Sequence, residues 1–146
     1  MARQHAIPTD RAEFARAVGL GDLDPWQASL LRSHSARVLL NCSRQSGKST
    51  MAAIMALHQA LTDTLSLVLI LAPAERQAKE LFSKVTTAYQ ALGHAIPADS
   101  YRKLGMELAN GSRIEALPGT EKTIRGFSGV DLLVVDEAFR VTDELY

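Results

Sequence analysis

Residues 41–50 read Asn-Cys-Ser-Arg-Gln-Ser-Gly-Lys-Ser-Thr, and the flanks of this stretch decide what it is. The apolar run Val38-Leu39-Leu40 stands ahead of it, and a long apolar helical pattern begins near Lys48 behind it. Strand, turn, Gly-Lys-Ser and helix, in that order, make a Walker A phosphate-binding loop. The residues involved are Ser43, Arg44, Gln45, Ser46, Gly47, Lys48, Ser49 and Thr50. Their backbone N–H groups and the helix N-terminus present partial positive charge to the phosphates of a nucleotide such as ATP. Lys48 is placed to reach the β- and γ-phosphates, and the Ser49 hydroxyl to help hold Mg2+. One position departs from the usual motif: Cys42 stands where the first glycine is expected.

A chain of 146 residues fits one domain with a real core. With 47% apolar and 22% charged residues, the composition is that of a soluble globular protein. Sixteen basic and sixteen acidic residues cancel, so no global positive field announces a nucleic-acid partner. A local basic strip can coexist with that balance. The single cysteine cannot form an internal disulfide, which suits a reducing cytosol. The longest strongly apolar run, Leu67 to Ala72, is far short of the roughly 20 residues that span a bilayer. The N-terminus lacks the apolar centre of a signal peptide. A soluble, cytoplasmic protein with no membrane partner is expected.

In chain order, Thr9 or Asp10 caps a short helix through about Val18, and Gly19-Leu20-Gly21 stops it. Asp24 and Pro25 start a second helix, to about Ser33, that buries Trp26, Leu30 and Leu31. Arg37 to Asn41 reads as a short strand entering the loop. From Lys48 to about Leu61 a helix is apolar on most sides, hence buried on most sides. Leu65 to Leu71 is a strand covered on both faces. Ala74 to Leu92 is amphipathic, with Ala78, Leu81, Phe82, Val85, Tyr89 and Leu92 on one side and Gly93 closing it. His94 to Lys103 reads as a loop. Met106 to Leu117 reads as a hairpin turning at Asn110-Gly111. After a polar connection, Pro118 to Gly129, comes the apolar strand Asp131 to Val135. Alternating buried strands and helices argue for an α/β fold, a parallel sheet with a β-hairpin insertion.

That last strand ends in Asp136-Glu137, the arrangement of a Walker B strand. A carboxylate at such a tip can hold Mg2+ through water, and the next one can polarise an attacking water. An isolated Asp-Glu pair is more often a solvated strand end. A phosphate loop about 90 residues upstream favours the catalytic reading. Arg44 lies inside the loop and can touch a γ-phosphate, or pair with a local acid. Gln27 carries a donor and an acceptor that suit an adenine edge. Trp26 and Gln27 are equally well read as a core tryptophan beside a solvated amide. Arg125 sits in a glycine-flanked loop eleven positions before Asp136, and physical reasoning alone favours a solvated arginine. His5, His34, His58 and His94 lack metal-ligand spacing and Cys42 lacks partner ligands, so no protein-built metal site is expected.

Taken together, DPWQ at 24–27, NCSRQSGKST at 41–50, LAPAERQA at 71–78, GSRIEALPG at 111–119, TIRG at 123–126 and DLLVVDEA at 131–138 resemble a known family. It is the ATPase domain of phage terminase large subunits, motors that drive viral DNA into preformed capsids. The resemblance runs from Asp24 to Tyr146. It implies a P-loop NTPase of the RecA/ASCE-like kind, a parallel sheet flanked by helices, using ATP and Mg2+. Loops of this family commonly run Arg-Gln-x-Gly-Lys-Ser/Thr behind a non-glycine, so Cys42 is similar to the family's variant. The resemblance gives Gln27, beside Trp26, the adenine role, Arg44 the γ-phosphate, Asp136 and Ser49 the Mg2+, and Glu137 catalysis. It places Arg125 where some members have an arginine acting in trans. Implied partners are double-stranded DNA, a portal protein, a small terminase subunit and further copies in a ring, in the cytoplasm of an infected or lysogenic bacterium.

The departure is length. Full terminase large subunits continue into a coupling motif and a nuclease domain. Residues 1–146 are therefore expected to be the N-terminal portion of the ATPase domain, without the nuclease, its sheet incomplete at the C-terminus. The strand that follows in the family usually lies between the loop strand and the Asp-Glu strand. Without it, those two strands face a gap or close up. Two other readings remain: a superfamily 2 helicase or translocase fragment, whose loop usually keeps its first glycine, and a catalytically silent, truncated prophage remnant.

Overall fold

Leu67–Ala72 is apolar at every position, and in the computed structural model, which describes residues 6–119 and 125–140, all six side chains are buried. This strand, β1, is one of three inner strands of a five-stranded sheet. In chain order the elements are α1 (Arg11–Ala17), α2 (Pro25–Arg32), α3 (Lys48–Thr62), β1, α4 (Glu75–Ala91), β2 (Ala98–Arg102), β3 (Gly105–Leu108), β4 (Arg113–Pro118) and β5 (Leu132–Val135). A single 3₁₀ turn, Ala138–Arg140, follows. The strand order is β2-β3-β4-β1-β5. β1 pairs in parallel with β4 and with β5, whereas β3 runs antiparallel to β2 and to β4. The fold is thus mixed α/β, its sheet parallel across β4, β1 and β5, antiparallel at β3, and flanked by helices.

Strand period decides which residues meet the helices. Val68, Ile70 and Ala72 of β1 share a face with Ile114 and Ala116 of β4 and with Leu132 and Val134 of β5. Against that face pack Met51, Ile54, Leu57 and Leu61 of α3 and Ala78, Leu81, Phe82, Val85 and Tyr89 of α4. Burying a side chain of this size stabilises the fold by about 1.5–3 kcal/mol. The small helices α1 and α2 close over α3, with Phe14 edge-on to His58 at 5.1 Å between centroids.

The helix starts follow their caps. Asp10 accepts from the Glu13 N–H at 2.9 Å, and its other oxygen meets Arg32 at 3.1 Å, tying α1 to α2. These contacts hold the Asp10 carboxyl below its usual pKa, the Glu13 N–H first among them. The amino end of β1 is fastened by polar groups. Ser112 donates to the Asp63 carbonyl at 2.6 Å and accepts from the Ser66 N–H at 3.1 Å. Asp131 accepts from the Leu67 N–H at 2.8 Å, and Asn110 donates to the Ala60 carbonyl at 2.8 Å.

Four expectations change. Residues 37–41 form no strand; they are coil, exposed except for the half-buried Leu40, with Leu39 at 86%. A strand needs a hydrogen-bonding neighbour, and among the described residues β5 pairs with β1 alone, so nothing stands beside 38–41. Where a loop was expected across 94–103, β2 forms by pairing Tyr101 with Met106 and Arg102 with Gly105. Leu65 does not open β1; it is a 79%-exposed residue with φ of 58° whose N–H donates to the Asn110 carbonyl. The β3–β4 hairpin turns on three residues rather than two. Leu108 and Ser112 still pair, and Gly111 takes a φ of +81° after a turn closed by its N–H to the Leu108 carbonyl. Residues 1–5, 120–124 and 141–146 lie outside the described residues, and with them Thr123 and Ile124.

His58 supplies a pH test. Its Nε2 donates to the Pro8 carbonyl at 2.9 Å, its Nδ1 is buried without a partner, and burial, the largest cause, lowers its pKa. The unfolded chain binds this proton near pH 6.5, while the fold disfavours it. The stability His58 contributes is therefore full above about pH 6.5 and is lost as pH falls through the lowered folded-state value. Urea midpoints measured from pH 8 to 5 should decline across that window, and His58→Gln should flatten the decline. An unchanged profile in the variant would assign the acid limb to other groups.

Candidate functional site

α3 begins at a backbone position that few residues adopt. Gly47, its N-cap, has φ of 86°, and Gln45 two residues earlier has φ of 58°. Left-handed residues alternating with right-handed ones turn successive N–H groups toward one concavity, an anion-binding nest. No side chain caps α3, and its first turn holds no acid, so the leading N–H groups of a fifteen-residue helix are left for an anion. Lys48, Ser49 and Thr50 are half-buried there, while Ser43, Arg44 and Gln45 are exposed. The Ser46 hydroxyl is buried without a hydrogen-bond partner.

Gln27 braces this loop. Its Oε1 accepts from the Asp24 N–H at 3.0 Å, and its Nε2 donates to the Ser46 carbonyl at 3.5 Å. A Cβ on Gly47 would lie 3.0 Å from that Nε2. The amide thus ties the start of α2 to the loop on both of its sides. Its neighbour Trp26 is half-buried, packs on the core, and lines a cleft of about 600 Å³ between α2 and residues 38–43. One side chain thus both packs on the core and lines the cleft.

The second half of the site sits at the end of β5. The Asp136 N–H donates to the Leu71 carbonyl at 2.8 Å, continuing the parallel pairing one residue beyond the strand. An Asp136 carboxylate oxygen then accepts from the Glu137 N–H at 3.1 Å. Glu137 has φ of 49°, a left-handed conformation unusual for a glutamate. Its Oε2 lies 3.3 Å from Arg140 Nε, within ion-pair range but without hydrogen-bond alignment, and is buried with no hydrogen-bond partner. Arg140 is a neighbour that sequence reasoning missed. Its spacing of three from Glu137 was the available signal.

Topology puts these halves at one end of the sheet. α3 and β1 are antiparallel and joined by residues 63–66, so the start of α3 lies level with the carboxyl end of β1. β5 runs parallel to β1 with Leu71 opposite Val135, which brings Asp136 to that same end, and α3 packs on β5. Arg125 is exposed in the turn at 125–126 and is engaged in an interaction within the structure. Among the described residues no cluster of three His, Cys, Asp or Glu could hold a metal. A cation here would lean on Ser49, Asp136, nucleotide oxygens and water. The orphaned Ser46 hydroxyl and Glu137 Oε2, with the uncapped helix start, fit a phosphate ligand that brings its own metal.

Comparison with known proteins comes down on the same fold. The family described as terminase large subunit, T4likevirus-type, N-terminal, matches residues 39–146. The structure is similar to the large terminase ATPase domain of Thermus phage P74-26, with a TM-score of 0.75 at 21% identity, over 94% of this chain and 61% of that one. A substituted form of that domain matches with a TM-score of 0.71 at 22% identity, over 91% of this chain and 59% of that one. The chain thus spans about three fifths of the solved domains it resembles. No curated protein matches the sequence.

Gly47→Ala should destabilise the protein by about 1–2 kcal/mol, because the left-handed region penalises a Cβ and Gln27 stands against it. Urea unfolding checks this. A loss under a few tenths of a kcal/mol would mean that the loop relaxes away from Gln27.

Proposed function

We propose that this chain, which belongs to the family of T4likevirus-type terminase large subunits through its N-terminal domain, binds ATP with Mg2+ and contributes the hydrolytic half-site of a DNA-packaging motor. One observation carries the reading: the uncapped start of α3 and the Asp136-Glu137 pair stand at the same end of the sheet, where the parallel strands β1 and β5 finish. ATP supplies the phosphoanhydride bond to be cleaved, and Mg2+ neutralises its phosphate charge. The chain's own residues do the rest. N–H groups of Ser46, Gly47, Lys48 and Ser49 hold phosphate oxygens, and Lys48 adds a full positive charge. Ser49 and Asp136 orient the cation's shell. Glu137 positions water and takes up its proton at Oε2, the buried oxygen that lacks a hydrogen bond.

The remaining roles follow the same reading. Arg44, exposed on the loop, reaches the γ-phosphate. Trp26 forms the wall of the base cleft. Gln27 reads adenine only by releasing the Asp24 N–H or the Ser46 carbonyl, so base recognition and loop bracing compete for one amide. Arg125, in an exposed turn, acts on the site of an adjacent copy. Double-stranded DNA, a portal protein and a small terminase subunit are the partners this family membership suggests. A second reading, nucleotide binding without turnover, draws on residues 38–41. Their exposure leaves the loop without a sheet strand behind it.

Lys48→Ala should abolish binding of an ATP analogue by calorimetry; unchanged affinity would sink the phosphate-loop assignment. Glu137→Gln should keep that affinity while turnover drops by about a hundredfold or more. Wild-type binding without any turnover would select the second reading. Mixing Arg125→Ala with Glu137→Gln protein should restore part of the lost turnover, and the absence of rescue would place Arg125 outside the neighbouring site.

A further inference from the structure

Away from the nucleotide site, at the opposite edge of the sheet, a groove of about 430 Å³ opens between α4 and the β2–β3 turn. Three cations line it: Lys79 from α4, and Arg102 and Lys103 from the turn. No carboxylate does, although acids and bases balance over the whole chain. The aromatic wall is Phe82 with Tyr101 tilted over it at 6.4 Å, and Tyr101 is 51% exposed despite its size. We propose that this groove binds the phosphodiester backbone of duplex DNA.

The ion pairs around the groove support the assignment. Glu115, nearly buried on β4, holds Arg102 through one terminal nitrogen and leaves its guanidinium half-exposed at the rim. That contact sets where the guanidinium stands; it gives the groove no acid of its own. Lys103 meets Glu75 at 2.8 Å, but both side chains are about 60% exposed, and such a pair holds weakly enough to exchange its carboxylate for a phosphate. Lys79 makes no ion pair among the described residues. A polyanion with regularly spaced single charges answers this arrangement, since each cation that meets a phosphate releases a counterion. The exposed tyrosine adds a hydroxyl donor at the rim. Three strands separate β2 from β5, so the groove and the nucleotide site lie at opposite margins of the sheet. The proposal draws its duplex partner from the packaging reading, but its test does not depend on ATP.

Fluorescence anisotropy with a labelled duplex, titrated across about 25–200 mM salt, decides the matter. Lys79→Gln and Lys103→Gln should each lower the magnitude of the log-affinity against log-salt slope by about 0.9, and the double variant by about 1.8. The double variant should also weaken binding at low salt by about tenfold or more. Lys84→Gln, an exposed lysine of α4 outside the groove, is the control and should change neither quantity. Equal effects from Lys84→Gln, unchanged slopes in the groove variants, or absence of duplex binding by the wild-type chain would each overturn the proposal. So would polyglutamate displacing the duplex at matched charge, which would mark the groove as an acidic-protein contact. Lys48→Ala separates the two readings. Loss of ATP-analogue binding in that variant with the DNA slope intact leaves the groove standing on its own, whatever the groove variants do to ATP.

Discussion

β1 has hydrogen-bonded neighbours on both sides, and that double pairing governs the rest of the domain. Six consecutive buried residues can give up water because their backbone groups find partners in β4, in β5 and in the residues that flank those strands, Asp131 and Gly119 among them. Parallel pairing on both sides sends the carboxyl ends of three strands to one end of the sheet. The polar fastening by Ser66, Ser112, Asp63 and Asp131 fixes the other end. With α3 leading directly into β1, its uncapped start is delivered to the end where Asp136 and Glu137 emerge. The candidate site sits where the sheet's polarity puts it, as is general for open α/β sheets.

Two halves of the site are held by different means. On the β5 side the main chain decides: Asp136 is anchored through its own N–H to Leu71, and Glu137 takes up a left-handed conformation. On the loop side a side chain decides, because Gln27 spans from the α2 N-terminus to the Ser46 carbonyl. Arg32 and Asp10 carry that link on from α2 to α1. A loop that lacks a strand behind it is thus steadied from the helical side.

Local chemistry was legible in the sequence. Asp10, Asp24, Pro25 and Gly93 marked helix ends to within a residue or two, and the loop and Asp-Glu motifs fall at the start of α3 and the end of β5. What depended on distant partners was not. The run at 38–40 is apolar enough for a strand, yet apolarity cannot say whether a neighbour stands beside it. β2, with Ala-Asp-Ser-Tyr-Arg, has no apolar alternation and exists because β3 accepts its backbone. Leu65 looked like the start of β1, but its left-handed backbone belongs to the turn. Glu115 is an acid in the middle of β4, and only the fold shows Arg102, thirteen residues earlier, compensating its charge.

The two margins of the sheet are unlike. β2 is short, polar and broken in register between Ala98 and Ser100, features that discourage a further strand from adding to it. β5 pairs with β1 in unbroken register, and its Leu133 is 52% exposed. Among the described residues it has a neighbour on one side only. Among the described residues the sheet is therefore open on its β5 side alone, and edge-to-edge pairing through that one margin would join two copies and stop, because each then presents only its β2 margin.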